Sequence, residues 1–463
     1  MAEFDLVIRG GTVVDGNGGA PRVAAVAVRD GVIVEVGEVS GRGMSEIDAA
    51  GLVVGPGFVD IHTHYDGQAV WDDRIQPSSF HGVTTVVAGN CGVGFAPVKP
   101  EHRGKLIALM EGVEDIPGTA LHAGLSWSWT TFGEYLDTLE TRAWDIDLAT
   151  QVPHAALRFW AMGDRAAALE AATEQEIAEM AELAAQAVRD GALGFSTSRS
   201  INHKSRSGDL TPTYGTEEQE LTGIAAAVGA TGTGVLQLIT DYPDYEPDAS
   251  ATVAARAERE GRTPEEVAYD ILVKDEGRGM LHSPFTNYFD GNLDAVREML
   301  THPHTLPGLG DGGAHVGAIC DSSFTSTLLQ HWVRDRAEGR LPVEFVFQKQ
   351  SRDTARAVGL NDRGVLEPGY RADIIVVDLE NLRMRRPEVI YDLPGGERRM
   401  QQRVDGYRHV FVTGVETYTD GTPTGELPGR LIRGARPAPE GAPVPAPAPK
   451  LAPAAAPNLA PAR

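Results

Sequence analysis

Two histidines one residue apart, His62 and His64, close the run Pro56-Gly57-Phe58-Val59-Asp60-Ile61-His62-Thr63-His64. Residues two apart in a strand face the same side, so Asp60, His62 and His64 share a face and the imidazoles converge. Imidazole is the commonest side-chain metal ligand, and an apolar strand ahead of the pair directs it inward. Asp60 can orient the rings by hydrogen bonding. A bare His-x-His is more often two surface histidines. The buried-strand context makes this one a candidate Zn2+ site.

Thr84-Thr85-Val86-Val87-Ala88-Gly89-Asn90-Cys91-Gly92 reads as a buried strand ending in a glycine-flanked cysteine. A lone cysteine is usually a small core residue. Its place one strand-helix unit after His-x-His favours a third ligand, since a thiol beside a divalent cation ionises. In Leu309-Gly310-Asp311-Gly312-Gly313-Ala314-His315 an acid is held among glycines at the end of a strand. Such a carboxylate can take a proton from an attacking water and return it to a leaving amine, although Asp-Gly is also a common turn. His315 is either a supporting group or a turn residue. His154 and His203 follow candidate strands and default to polar loop histidines, and Cys320 reads as a core or loop thiol. Ser196 and Ser198 lack a nucleophile arrangement with His and Asp.

These motifs need strands to carry them. GFVDIHTH, TTVVAGN, LATQVPH, ALGFSTS, GVLQLIT and TLPGLGD alternate with helical stretches between about 51 and 359, the pattern of repeated βα units and a parallel sheet. One helix is bounded by a capping box at Thr173 and Glu176 and by Gly191; another starts at Thr263-Pro264. The stretches before 50 and after 360 instead alternate β-branched runs with Asp-Gly turns, and are expected to pair into one small β domain. From Ala435 a Pro/Ala tract offers little to bury and reads as a disordered tail. The predicted division is therefore 1–50, 51–359, 360–434 and 435–463.

The chain has 463 residues, 42% hydrophobic, with 65 Asp+Glu against 41 Lys+Arg and a net charge of -24. That excess repels phosphate backbones and anionic lipid, arguing against nucleic-acid and membrane roles. Two cysteines make no disulfide framework, and the acidic start MAEFDLVIRGG resembles no signal peptide, so a cytoplasmic protein is expected.

Taken together, PGFVDIHTHYDGQ, TTVVAGNCGVGFAP, GALGFSTSR, GLGDGGAH, GVLEPGYRADIIVVD and TGELPGRLIRG resemble the amidohydrolase superfamily, within it the N-acyl-D-amino-acid deacylases, over residues 4–434. The resemblance implies a TIM-like (β/α)8 metal-dependent barrel plus a small β-sandwich made from both chain ends. It implies His62, His64 and Cys91 as metal ligands, Asp311 as the catalytic acid-base, and Zn2+ at one or two per chain. Tyr65, Arg158 and His203 are candidates for substrate binding. The family also has histidine ligands on strands five and six, whereas strand five here reads GVLQLITD, and the segment 242–306 lacks the pattern of strands six and seven. Either the barrel is shortened, or an irregular segment or a neighbouring subunit of a homo-oligomer closes it.

The expected activity is hydrolysis of a small-molecule linear amide such as an N-acyl (D-)amino acid. Two alternatives stand beside it: a degenerate, non-catalytic barrel that binds or assembles, and a cyclic amide or ureido hydrolase. The latter commonly uses a carboxylated lysine at strand four. ALGFSTS has none, and Lys204 lies further along.

Overall fold

The computed structural model describes residues 2–200, 202–238, 250, 252–277 and 291–442. The chain divides into two compact units, Met1–Ile239 with Leu306–Ala448, and Thr240–Thr305 with Pro449–Arg463.

In the larger unit the N-terminal β-branched runs form β1 (Phe4–Val13), β2 (Arg22–Arg29), β3 (Val32–Gly37), β4 (Gly43–Asp48) and β5 (Val53–Pro56). Asp30 and Gly31 turn β2 into β3 with φ of 51° and 74°, matching the twist that two-residue hairpins require. Next come β6 (Phe58–Asp60), β7 (Val83–Ala88) and β8 (Asp147–Thr150), which form one parallel sheet, and β9 (Val152–Pro153), β10 (Gly194–Thr197) and β11 (Val235–Leu238), which form another. β8 and β9 are one path interrupted at Gln151, whose N–H donates to Ala88 O at 2.9 Å. Every residue of β7, β8 and β10 is buried, as expected for parallel strands covered on both faces. The helices Arg103–Glu114, His154–Met162, Glu174–Asp190 and Glu218–Ala230 lie between these strands in the chain. Glu174–Asp190 has the expected capping box, with Glu176 N–H donating to Thr173 Oγ1 at 3.3 Å, and Gly191 at its end.

The TLPGLGD run forms no regular strand. It instead makes a single parallel bridge from Gly312 to Thr63, just past β6. His62 and His64 likewise lie beyond the end of β6 rather than within it.

Past the parallel strands come β12 (Ile374–Val377), β13 (Arg383–Met384), β14 (Glu388–Leu393), β15 (Glu397–Gln401), β16 (Val404–Asp405), β17 (Tyr407–Val412), β18 (Val415–Thr419) and β19 (Thr422–Pro423). β12 pairs antiparallel with β5, so the two chain ends share a nine-stranded sheet of order β19-β18-β17-β12-β5-β1-β2-β3, with β4 also on β1. Leu6, Ile8, Val26, Ile33, Val54, Ile374, Val376 and Phe411 fill its core. Asp147 of β8 ties the parallel strands to the later chain: its Oδ2 accepts from Arg363 Nη1 at 2.7 Å and its Oδ1 from Arg430 N–H at 2.9 Å. Arg436, within the expected tail, bridges Leu360; residues 443–463 lie outside the described residues.

The smaller unit contains the helices Val253–Glu260, Pro264–Gly277 and Asp294–Thr301. The run GMLHSPF, 279–285, which by composition reads as a weak strand, lies outside the described residues. Among the described residues no helix is long and apolar enough to cross a membrane.

Candidate metal centre

His62, His64 and Cys91 are buried and offer one ligand atom each, all within 4.8 Å of one another. His62 Nε2 lies 3.2 Å and His64 Nε2 3.5 Å from Cys91 Sγ. The carboxylate of Asp311 joins them, with Oδ1 3.4 Å from His62 Nε2 and 3.5 Å from His64 Nε2. The bridge at Thr63 places this acid: Asp311 N–H donates to His62 O at 3.1 Å and His64 N–H to Gly312 O at 2.8 Å. Cys91 is presented by a tight loop. At Gly89, with φ of 77°, a Cβ would sit 2.1 Å from Gln151 O, so no other residue fits. Cys91 itself is held at φ 57°, and Leu309, Asp311 and His315 are also left-handed, at 64°, 43° and 48°.

Burial pulls the His62 imidazole down to a pKa of about 3. It acts on His64 the same way, but Glu114 and Asp311 outweigh it and raise that ring to about 9. Burial, then the charges of Glu114 and Asp311, push the Cys91 thiol well up. Burial also works to raise Asp311, and the imidazoles prevail, holding it below the usual carboxylate range. Asp311 Oδ1 and Glu114 Oε1 are buried without a hydrogen bond. Two imidazoles and a thiol at one point, with orphaned carboxylate oxygens beside them, fit a divalent cation, whose charge would favour their ionised forms. A cavity of about 10 Å3 abuts Asp311, lined also by Pro77, Cys320 and Arg399, with room for about one water.

The remaining candidates fall elsewhere. Asp60 Oδ1 accepts from the backbone N–H of His62 at 3.1 Å, so it braces the main chain rather than a ring. Tyr65 is fully buried, its hydroxyl donating to Ser78 Oγ at 2.9 Å. Arg158 is likewise spent internally: Nη1 reaches both Glu220 oxygens at 2.6 and 2.5 Å, and Nη2 donates to Glu170 O. Glu220 also takes His154 Nε2 at 2.8 Å. His203 is buried against Ser198 Oγ at 2.9 Å, close enough for the charges of His64 and His315 to act on it. Lys204 is exposed and bridged to Leu210, apart from the cluster.

Two further residues reach the cluster without a sequence motif to mark them. Glu114 ends the helix Arg103–Glu114, with Oε2 3.3 Å from His64 Nε2 and 3.6 Å from His315 Nε2. Its signal was a carboxylate in the last turn of an apolar helix, LIALMEGVE, where the helix dipole disfavours it. Gln237, the one polar residue in the strand VLQL, accepts from Cys91 N–H at 3.2 Å and places Nε2 3.2 Å from His62 Nδ1.

The chain is similar to known proteins along most of its length. D-aminoacylase of Alcaligenes xylosoxydans xylosoxydans is 28% identical over 505 residues, covering 93% of this chain and 97% of that protein. N-acyl-D-glutamate deacylase of the same organism is 28% identical over 511 residues, with the same coverage. Among solved structures, a D-aminoacylase with a binuclear metal center superposes with a TM-score of 0.66 at 23% identity, covering 93% of this chain and 100% of that one. N-acyl-D-glutamate deacylase from Bordetella bronchiseptica, complexed with zinc and a phosphonate inhibitor, gives 0.62 at 23% identity, covering 93% and 99%. Residues 45–275 and 249–423 match the model of the amidohydrolase family, and the chain belongs to that family.

Proposed function

We propose that this protein is a metal-dependent hydrolase of the linear amide in N-acyl-D-amino acids or close analogues. The observation that carries the reading is the convergence of His62, His64 and Cys91 within 4.8 Å, with Asp311 facing both ring nitrogens. The relatives' activities, D-aminoacylase and N-acyl-D-glutamate deacylase, point to the substrate class. His62, His64 and Cys91 would hold Zn2+, whose donor preferences they match; when bound it supplies Lewis-acid polarisation of the scissile carbonyl and a more acidic water.

Asp311 serves as the acid-base. Its Oδ1 has no hydrogen bond to give up, and the facing imidazoles keep the carboxyl ionised, the form that can accept a proton from the attacking water. It then returns that proton to the departing amine. The strained, hydrogen-bonded backbone around 309–315 fixes its direction, which conserves orientation during transfer. The chemistry thus falls to the segment 51–359, with 1–50 and 360–434 as its β-rich support. Both cysteines are free, which suits a reducing cytoplasm.

Metal analysis of the purified protein beside a panel of N-acyl D- and L-amino acids tests the reading. Chelator-sensitive turnover of the D series is expected. Metal-free protein of unchanged stability and no turnover would favour a non-catalytic binding module.

A further inference from the structure

Glu114 is a buried carboxyl group without a strong cationic partner. Its residue is 1% exposed, and among the described residues its ion pairs are with the imidazoles of His64 and His315. Both sit at long range, 3.3 and 3.6 Å, and both engage Oε2; Oε1 is buried with no hydrogen bond at all. An ionised carboxylate buried this way needs a compensating charge, the more so at a helix C-terminus.

His64 Nε2 is the point on which three acidic groups converge: Glu114 Oε2 at 3.3 Å, Cys91 Sγ and Asp311 Oδ1 at 3.5 Å. An imidazole that gives its Nε2 lone pair to a cation has no proton there to offer these acceptors. They then repel it and one another unless the cation lies among them. Glu114 is also fixed in place, because His315 N–H donates to its main-chain oxygen and so ties the helix end to the segment that bears Asp311.

We propose that Glu114 is a further ligand of the cation held by His62, His64 and Cys91, a carboxylate supplied from the helix after β7. The inference rests on the metal-centre reading above. Strand β11 contributes only the neutral Gln237 amide to the cluster, whose hydrogen bonds go to Cys91 N–H and toward His62 Nδ1. Carboxylate oxygen is an ordinary zinc donor beside nitrogen and sulfur. The charge count closes as well: two neutral imidazoles, one thiolate and one carboxylate balance a divalent ion, which leaves Asp311 outside the balance and free to gain and lose a proton.

The test uses the full-length protein loaded with Co2+ as a spectroscopic probe, and Zn2+ affinity by chelator competition, for wild type, Glu114→Gln and Glu114→Asp. Loss of Glu114 is expected to weaken Zn2+ by more than the roughly 10–100-fold typical of removing an outer hydrogen-bond partner. It should also shift the Co2+ ligand-field bands while the sulfur-to-cobalt charge-transfer band of Cys91 persists. Glu114→Asp keeps the buried charge, so it answers the question should the amide variant not fold; displaced bands support the ligand. Wild type that binds metal, with variants matching it in affinity and bands, overturns this inference and leaves the metal centre standing. Wild type that takes up no metal overturns both.

Discussion

Thr63 and Gly312 pair across a parallel bridge, so the two motifs at opposite ends of the parallel-strand segment, His-x-His and Gly-Asp-Gly-Gly, lie side by side. Asp311 is therefore aimed at the imidazoles by main-chain hydrogen bonds and not by its own side chain. Asp311→Asn should keep the cation and the fold while lowering kcat by about 10^2–10^4-fold, the usual range for removing a positioned acid-base. Steady-state kinetics with metal analysis on the same sample checks it; wild-type turnover in the asparagine variant would sink the assignment.

Cys91 has no other reason to ionise than a cation at its side. Cys91→Ser should lose metal and, with it, the stabilisation that binding lends, about 4 kcal/mol for a cation present at a thousand times its Kd. In thermal melts, chelation should lower the Tm of wild type and leave that of Cys91→Ser unmoved. Equal sensitivity of the two proteins would exclude Cys91 as a ligand.

His62, His64, Cys91 and Asp311 stand out in the sequence by local pattern, a His-x-His after an apolar run, a glycine-flanked cysteine and an aspartate among glycines, although the run before Asp311 is no regular strand. Glu114 and Gln237 do not, since their meaning depends on which way a helix end and the last described parallel strand turn. Arg158 shows the same limit from the other side. Its closeness in sequence to a strand end suggested a substrate contact, but the helix His154–Met162 directs it to Glu220 instead. The joining of the two chain ends was visible as texture, while the pairing of β5 with β12 was beyond it.

His81 sets an acid limit on stability. It is buried, with Nε2–H donating to Gln402 O and Nδ1 accepting from Ser326 Oγ, both at 2.8 Å. Burial pulls its pKa from 6.5 down to about 4, so as pH falls the unfolded chain is protonated first. Its contribution is complete above about pH 6.5 and is lost as pH drops through 4, to the extent of about 3 kcal/mol. Urea unfolding at several pH values should show a shallower fall in His81→Gln than in wild type; parallel curves would refute the claim.

Asp147 joins β8 to three later segments through Arg363, Arg371 and Arg430. Asp147→Ala removes the 2.7 Å contact to buried Arg363, whose guanidinium keeps two hydrogen bonds to Asp362, and should cost about 1.5–3 kcal/mol. Asp147→Asn, which can still accept, should cost less. Equilibrium denaturation of both variants gives the comparison, and an alanine variant within 1 kcal/mol of wild type would contradict it.

The left-handed backbone at Cys91, Leu309, Asp311 and His315 has a meaning for selection. Each such residue costs of order 1–3 kcal/mol and persists only because its surroundings impose it. A screen for heat-resistant variants will be drawn to these positions, where glycine relieves the strain at once. Three of the four are the cysteine, aspartate and histidine of the cluster itself. Evolution toward robustness and evolution toward turnover therefore pull this molecule in opposite directions at the same few residues.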